Sequence, residues 1–247
     1  MTASAPGWNR FDGVSRPVAA AVLALLALAM AWGAASDVGR SHAVVVDRTA
    51  PRVDGLAGDH ALYARIAHRV AAGESYYGAA AAEHRAGHYP LRPFIAVRLP
   101  TLAYILATLG ERNAMMMFLI VGGVTVLAWY RRLRGDAGLP RYGPVAALLV
   151  AANLTQLAVH QWILIHEVAA GTLIALALAL YRRAPLWTVM GVMAAAVAIR
   201  ETALPVAALF GLFALIDRDW RAVAGWLAFG LCFLAGIAAH IAALAAV

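Results

Sequence analysis

Long uncharged apolar runs, separated by clusters of arginine, leave this chain few ways to fold. Pro17 to Ser36 is about 20 residues without a charge, enough to cross about 30 Å of hydrocarbon at 1.5 Å per residue. Further apolar segments run from Asn113 to Tyr130, Gly143 to Val159, Val168 to Tyr181, Pro185 to Ile199, Thr202 to Ile216 and Ala222 to Val247. Apolar residues make up 63% of the chain and charged residues 13%, so there is too little polar surface to coat a water-soluble core. The expected fold class is an all-α polytopic membrane protein, with one transmembrane domain over residues 1–247. A cleaved signal peptide is the rival reading of the first run, because Gly33-Ala34-Ala35 resembles a cleavage site, but the run exceeds a typical h-region.

The arginines orient the segments. All 20 basic residues are arginine and the net charge is +7. No basic stripe is interleaved with aromatics, so the charge reads as cytoplasmic loops beside anionic lipid rather than a nucleic-acid surface. Arg131, Arg132, Arg134 and Arg141 form one basic loop, Arg182 and Arg183 a second, and Arg218 and Arg221 a third. With these three inside, residues 1–16 are a cytoplasmic N-terminus, 17–36 the first span, 37–112 an outer loop with interfacial helices, and 113–247 six further spans. Phe94 to Gly110 is interrupted by Arg98 and Pro100, so it reads as an interfacial or partly re-entrant helix, giving seven spans and an outer C-terminus. Pro185 to Ile216 reads as a hairpin with Arg200-Glu201 at its tip, because one continuous helix would place both charges in mid-bilayer.

The chemistry-bearing residues lie on the outer side. Asp59 precedes an amphipathic helix from Ala61 to Gly73, with Leu62, Ile66 and Val70 at helical spacing and Arg65 and Arg69 on another side. That position suits either a catalytic carboxylate or an ordinary helix N-cap. His166-Glu167 enters the fourth span with no basic residue nearby in sequence, so Glu167 needs a wet cavity or a partner from elsewhere. Arg200 and Glu201 carry the same requirement, with snorkelling to the interface as the alternative. His60, His68, His84, His88, His160 and His166 all fall outside, but His84 and His88 alone are a weak metal signal. Cys232 lies within an apolar run, which leaves no intrachain disulfide and no cysteine metal site. There is no phosphate-binding glycine loop, dinucleotide fingerprint or serine-nucleophile motif.

In order along the chain, several short motifs resemble the GT-C superfamily of integral-membrane glycosyltransferases, which use polyprenyl-phosphate-linked sugars. Asp59-His60-Ala61-Leu62-Tyr63-Ala64-Arg65-Ile66-Ala67, followed by Ala72-Gly73-Glu74-Ser75-Tyr76-Tyr77, is similar to that family's first outer loop. Tyr89-Pro90-Leu91-Arg92-Pro93 resembles the segment closing the loop, His166-Glu167-Val168 falls at a second acidic position, and Ile199-Arg200-Glu201-Thr202 with Pro205 resembles a recurrent helix end. The resemblance implies that Asp59 and Glu167 are the catalytic carboxylates, and that Arg92, Arg98, Arg200, Glu201, Tyr63 and His166 bind the lipid-phosphate donor. It implies a polyprenyl-phosphate sugar as donor, a separate acceptor, membrane lipid and a protein partner, and a bacterial inner-membrane location with the site on the periplasmic side. No metal is assigned, since the loop has no Asp-x-Asp pair and Asp54 and Asp59 are five apart. The alternative is a non-catalytic protein that binds or translocates a polyprenyl lipid; a secondary transporter is disfavoured because no related halves are visible.

Overall fold

The structure, a computed structural model, describes residues 58–135 and 143–247, with isolated positions between 15 and 28. The chain divides into two compact units, Met1–Thr49 and Ala50–Val247. The expected first span belongs to the first unit and, apart from helical positions such as Ala21 and Leu25, lies outside the described residues. Residue Asp54 and the start of the outer loop lie outside them too.

The described part of the second unit is all-helical. Its helices are α1 (Asp59–Ala71), α2 (Tyr76–Ala86), α3 (Thr101–Leu109), α4 (Glu111–Gly135), α5 (Gly143–Leu154), α6 (His166–Leu180), α7 (Leu186–Ile199), α8 (Leu204–Ile216) and α9 (Trp220–Ala245). Short 3-10 turns occupy Phe94–Ala96, Thr155–Ala158, His160–Leu164 and Glu201–Ala203. Phe118, Leu102, Ile163, Leu164, Met193 and Phe210, drawn from four of the helices and one turn, fill the centre of the core.

Among the described residues, two helices, α4 with 25 residues and α9 with 26, are long and apolar enough to cross a membrane. Each reaches about 38 Å at 1.5 Å per residue. Ile120 and Val124 on α4, and Leu227, Leu231 and Leu234 on α9, are exposed, as lipid-facing side chains would be. Helices α6, α7 and α8 are apolar but hold only 15, 14 and 13 residues, about 20 Å each.

The boundaries follow from local chemistry. Helix α1 buries Leu62, Ile66, Ala67 and Val70, the stripe expected of an amphipathic helix, and it stops where Gly73 turns left-handed at φ 94°. There the amides of Gly73 and Glu74 bond back to the carbonyls of Val70 and Arg69, a closure that favours glycine because a Cβ is disfavoured in that conformation. Ser75 then caps α2, its hydroxyl accepting from the amide of Gly78 at 3.2 Å. Arg65 and Arg69 turn away from the α1 core stripe and bracket Glu83 of α2, with Arg65 Nε 2.6 Å and Arg69 Nη1 3.0 Å from its carboxylate. Burial pushes the Glu83 carboxyl up, but the two guanidiniums outweigh it and hold the group below its ordinary range.

Phe94 to Gly110 is broken, as Arg98 and Pro100 imply: a 3-10 turn precedes Pro100, and α3 runs only from Thr101 to Leu109. The stretch from Gly143 to Val159 is not one helix. Helix α5 ends at Leu154 and two 3-10 turns follow. The hairpin reading of Pro185 to Ile216 agrees with the helix break. Arg200 is extended between α7 and α8, and Pro205 occupies the first turn of α8, where its missing amide costs nothing.

Arg132 departs from its expected place in a basic loop. It belongs to α4, is buried at 6% exposure, and its Nη1 donates to the carbonyls of Leu178, Ala179 and Tyr181 at 3.1, 2.8 and 2.7 Å. It thereby satisfies the orphan carbonyls that close α6. Arg182, just beyond α6, pairs with Asp217, just beyond α8. The C-terminal ends of α4, α6 and α8 are thus tied together at the arginine-rich end of the bundle.

Candidate functional site

The opposite end begins at Asp59. It is the first residue of α1 rather than its cap: Gly58 holds the N-cap position and no side chain caps the helix. A carboxylate in a first helical turn still benefits from the helix dipole. Asp59 is exposed, with the Tyr89 hydroxyl near enough to feel its charge. Burial raises the Tyr89 hydroxyl above its ordinary range, and the Asp59 charge adds to that. The Tyr89 ring lies against His84, whose Nδ1 is 3.0 Å from the Pro90 carbonyl, so the loop-closing segment is strapped to α2.

One turn along α1 from Asp59, Tyr63 is buried with its ring centroid 4.8 Å from that of His166, edge to face. Burial raises its hydroxyl above the ordinary range, and the nearby Arg98 charge works against that. Arg98 is positioned through its own backbone, because Tyr76 of α2 donates its hydroxyl to the Arg98 carbonyl at 2.5 Å. A cavity of about 10 Å³ between Tyr63, Tyr76, Leu106 and His166 is of the size that takes a single water.

Four charges meet beyond Tyr63. Glu167 Oε1 lies 3.4 Å from Arg98 Nη2 and 3.0 Å from Arg200 Nε, and Arg200 Nη1 lies 2.5 Å from Glu201 Oε1. The Arg98, Arg200 and Glu201 side chains are 18%, 12% and 10% exposed, whereas that of Glu167 is 48% exposed. The partner that Glu167 lacks in local sequence is therefore a pair of guanidiniums from two distant segments, and the cluster opens outward at Glu167. Arg98 Nε, Arg200 Nε and His166 Nδ1 are buried without a hydrogen-bond partner. Such groups cost free energy unless water or a ligand meets them.

An apolar groove of about 320 Å³ is lined by Leu99 and Pro100 before α3, Val197 and Ala198 of α7, and Phe229 and Phe233 of α9. Leu99 adjoins Arg98 in sequence, and Ala198 is two positions from Arg200. The arrangement offers cationic donors close in sequence to apolar surface, with the Asp59 carboxylate one helical turn from Tyr63, which packs on His166.

Of the residues singled out in the sequence, Arg98, Arg200, Glu167, Glu201, Tyr63 and His166 come together, and Asp59 lies one helical turn from Tyr63 on α1. Arg92 does not join: it is exposed and makes no ion pair among the described residues. Sequence reasoning missed Tyr89 as the neighbour of Asp59 and Tyr76 as the support of Arg98, since neither pairing has local spacing to reveal it. It also missed His240, buried in α9, whose Nδ1 is 3.1 Å from the Tyr77 hydroxyl. No group of three or more His, Cys, Asp or Glu that could hold a metal occurs among the described residues. Compared with known protein families, with curated proteins and with solved structures, the chain matches none.

Proposed function

We propose that this chain is a membrane glycosyltransferase of GT-C type that moves a sugar from a polyprenyl-phosphate donor to an acceptor at the outer face of the membrane. The observation that carries the reading is the Arg98–Arg200 pair around Glu167, one and two positions in sequence from residues that line an apolar groove, with Asp59 one turn from Tyr63. A polyprenyl tail would lie in the groove and its phosphate against the guanidiniums, which suit tetrahedral phosphate oxygens because they present paired donors. Arg92 would meet the donor at the loop. In the reaction the acceptor hydroxyl attacks the anomeric carbon, Asp59 takes the hydroxyl proton, and the bond from that carbon to the phosphate oxygen breaks. The polyprenyl phosphate leaves with the bonding pair, and Arg98 and Arg200 stabilise its charge. Glu167 has its Oε1 turned to two cations rather than open to a hydroxyl, which favours Asp59 as the base. The test is transfer of radiolabelled sugar from a polyprenyl-phosphate donor by the purified chain in lipid vesicles. Donor binding without transfer would leave a non-catalytic lipid-binding protein in its place.

The accompanying topology has seven spans in a bacterial inner membrane, an inner N-terminus and the site on the periplasmic side. Supporting it, the ties made by Arg132 and Arg182 gather arginine-rich segments at one end of the bundle, as loops facing anionic lipid require. In a Cys232→Ala background, Ala72→Cys should react with an impermeant thiol reagent added to intact cells and Arg183→Cys should not. Equal labelling of both would exclude this orientation.

A further inference from the structure

The two carboxylates of the charge cluster are held in unlike ways. Glu201 makes a short contact of 2.5 Å with Arg200 and is shielded from water, as a permanent counter-ion would be. Glu167 offers one oxygen to two guanidiniums. Its distance to Arg98 Nη2, 3.4 Å, is long for a charge-assisted hydrogen bond. Its contact with Arg200 Nε is close at 3.0 Å yet misaligned, so that this nitrogen makes no hydrogen bond. Arg98 Nε is likewise without a partner. A single planar carboxylate oxygen cannot satisfy two guanidinium forks at once, whereas the several oxygens of a phosphate can.

The charges agree with the geometry. Arg98 and Arg200 against Glu167 and Glu201 sum to zero, so an incoming anion finds no net attraction while Glu167 stays. Glu167, nearly half exposed, can swing into water and recover its hydration, while the guanidiniums stay buried. Its departure leaves one net positive charge and unmet donors on both arginines.

We infer that Glu167 is a displaceable internal anion, which occupies the Arg98–Arg200 pair until a phosphate-bearing ligand exchanges with it. The inference rests on the reading of this face as a lipid-phosphate site for its choice of ligand. It makes the site selective: weak or carboxylate anions gain nothing over the resident group, and only an anion that fills both forks displaces it.

The experiment measures binding of dodecyl phosphate, and in a parallel arm inorganic phosphate, to the full chain in detergent by calorimetry. Glu167→Gln should bind dodecyl phosphate about tenfold more tightly than wild type, the scale of one charge-assisted hydrogen bond freed from competition. In Glu167→Ala, added acetate should refill the vacated position and weaken dodecyl phosphate binding, whereas acetate should have little effect on wild type. Should either variant fail to fold, Glu167→Asp, too short to reach both guanidiniums, is expected to show a smaller gain. Equal or weaker binding by the variants would overturn the exchange while leaving a lipid-phosphate site standing. Absence of binding in wild type and every variant would overturn both. A gain with inorganic phosphate and no preference for the alkyl chain would keep the exchange and assign it to free phosphate.

Discussion

Asp59→Asn is expected to lower glycosyl transfer about 10²–10⁴-fold, the usual contribution of a positioned general base, while the chain still folds and binds donor. The amide keeps the size of the side chain, but it cannot take a proton from the acceptor. Because Gly58 rather than Asp59 occupies the N-cap position, the substitution removes no cap. What remains at stake for stability is a dipole interaction of about 0.3–1 kcal/mol at an exposed helix start. Transfer should therefore collapse in protein whose unfolding is almost unchanged. Wild-type turnover at saturating donor would remove Asp59 from the mechanism.

The second large effect is on stability. Arg200→Ala deprives Glu201, 10% exposed, of its short contact, and it also takes one of the two cations from Glu167. Removing one partner of a buried pair costs about 3–5 kcal/mol, since the remaining carboxylate is left desolvated and uncompensated. Arg200→Ala combined with Glu201→Gln should recover much of that loss, because no uncompensated charge remains, yet it should not recover binding of an alkyl phosphate. Denaturant unfolding in detergent separates the two quantities. A loss below about 1 kcal/mol for the single variant would mean that Glu201 is hydrated rather than dependent on Arg200.

Where a residue's role depends on its neighbours along the chain, the sequence was readable. The stripe of Leu62, Ile66 and Val70 defines α1, the interruption by Arg98 and Pro100 breaks the segment before α3, and an Arg-Glu pair followed by Pro205 marks the corner between α7 and α8. A charged pair inside an apolar stretch can lie only at an end or in a cavity, so that corner follows from hydration cost alone. Partners were another matter. Glu167 required a cation, but sequence could not choose Arg98, 69 positions away, or Arg200 from among 20 arginines. Arg132 looked like a loop residue because Arg131 and Arg134 surround it, and only the end of α6 beside it shows otherwise. The groove between α3, α7 and α9 has no sequence signature, because it is made of small and aromatic residues brought together by packing.

The three carbonyl contacts of Arg132 bear on how thin this protein can be. Helix α6 has 15 residues and reaches about 22 Å, well short of a hydrocarbon layer about 30 Å thick. A helix that stops early in lipid ordinarily leaves its last carbonyls facing oil, at several kcal/mol for each unmet group. Here the terminal peptide groups carry their own polar surroundings, supplied by a neighbouring helix, and need no contact with the headgroups. The bundle can accordingly be locally shallower than the bilayer around it, and the lipid on that side is free to dimple inward toward the arginines.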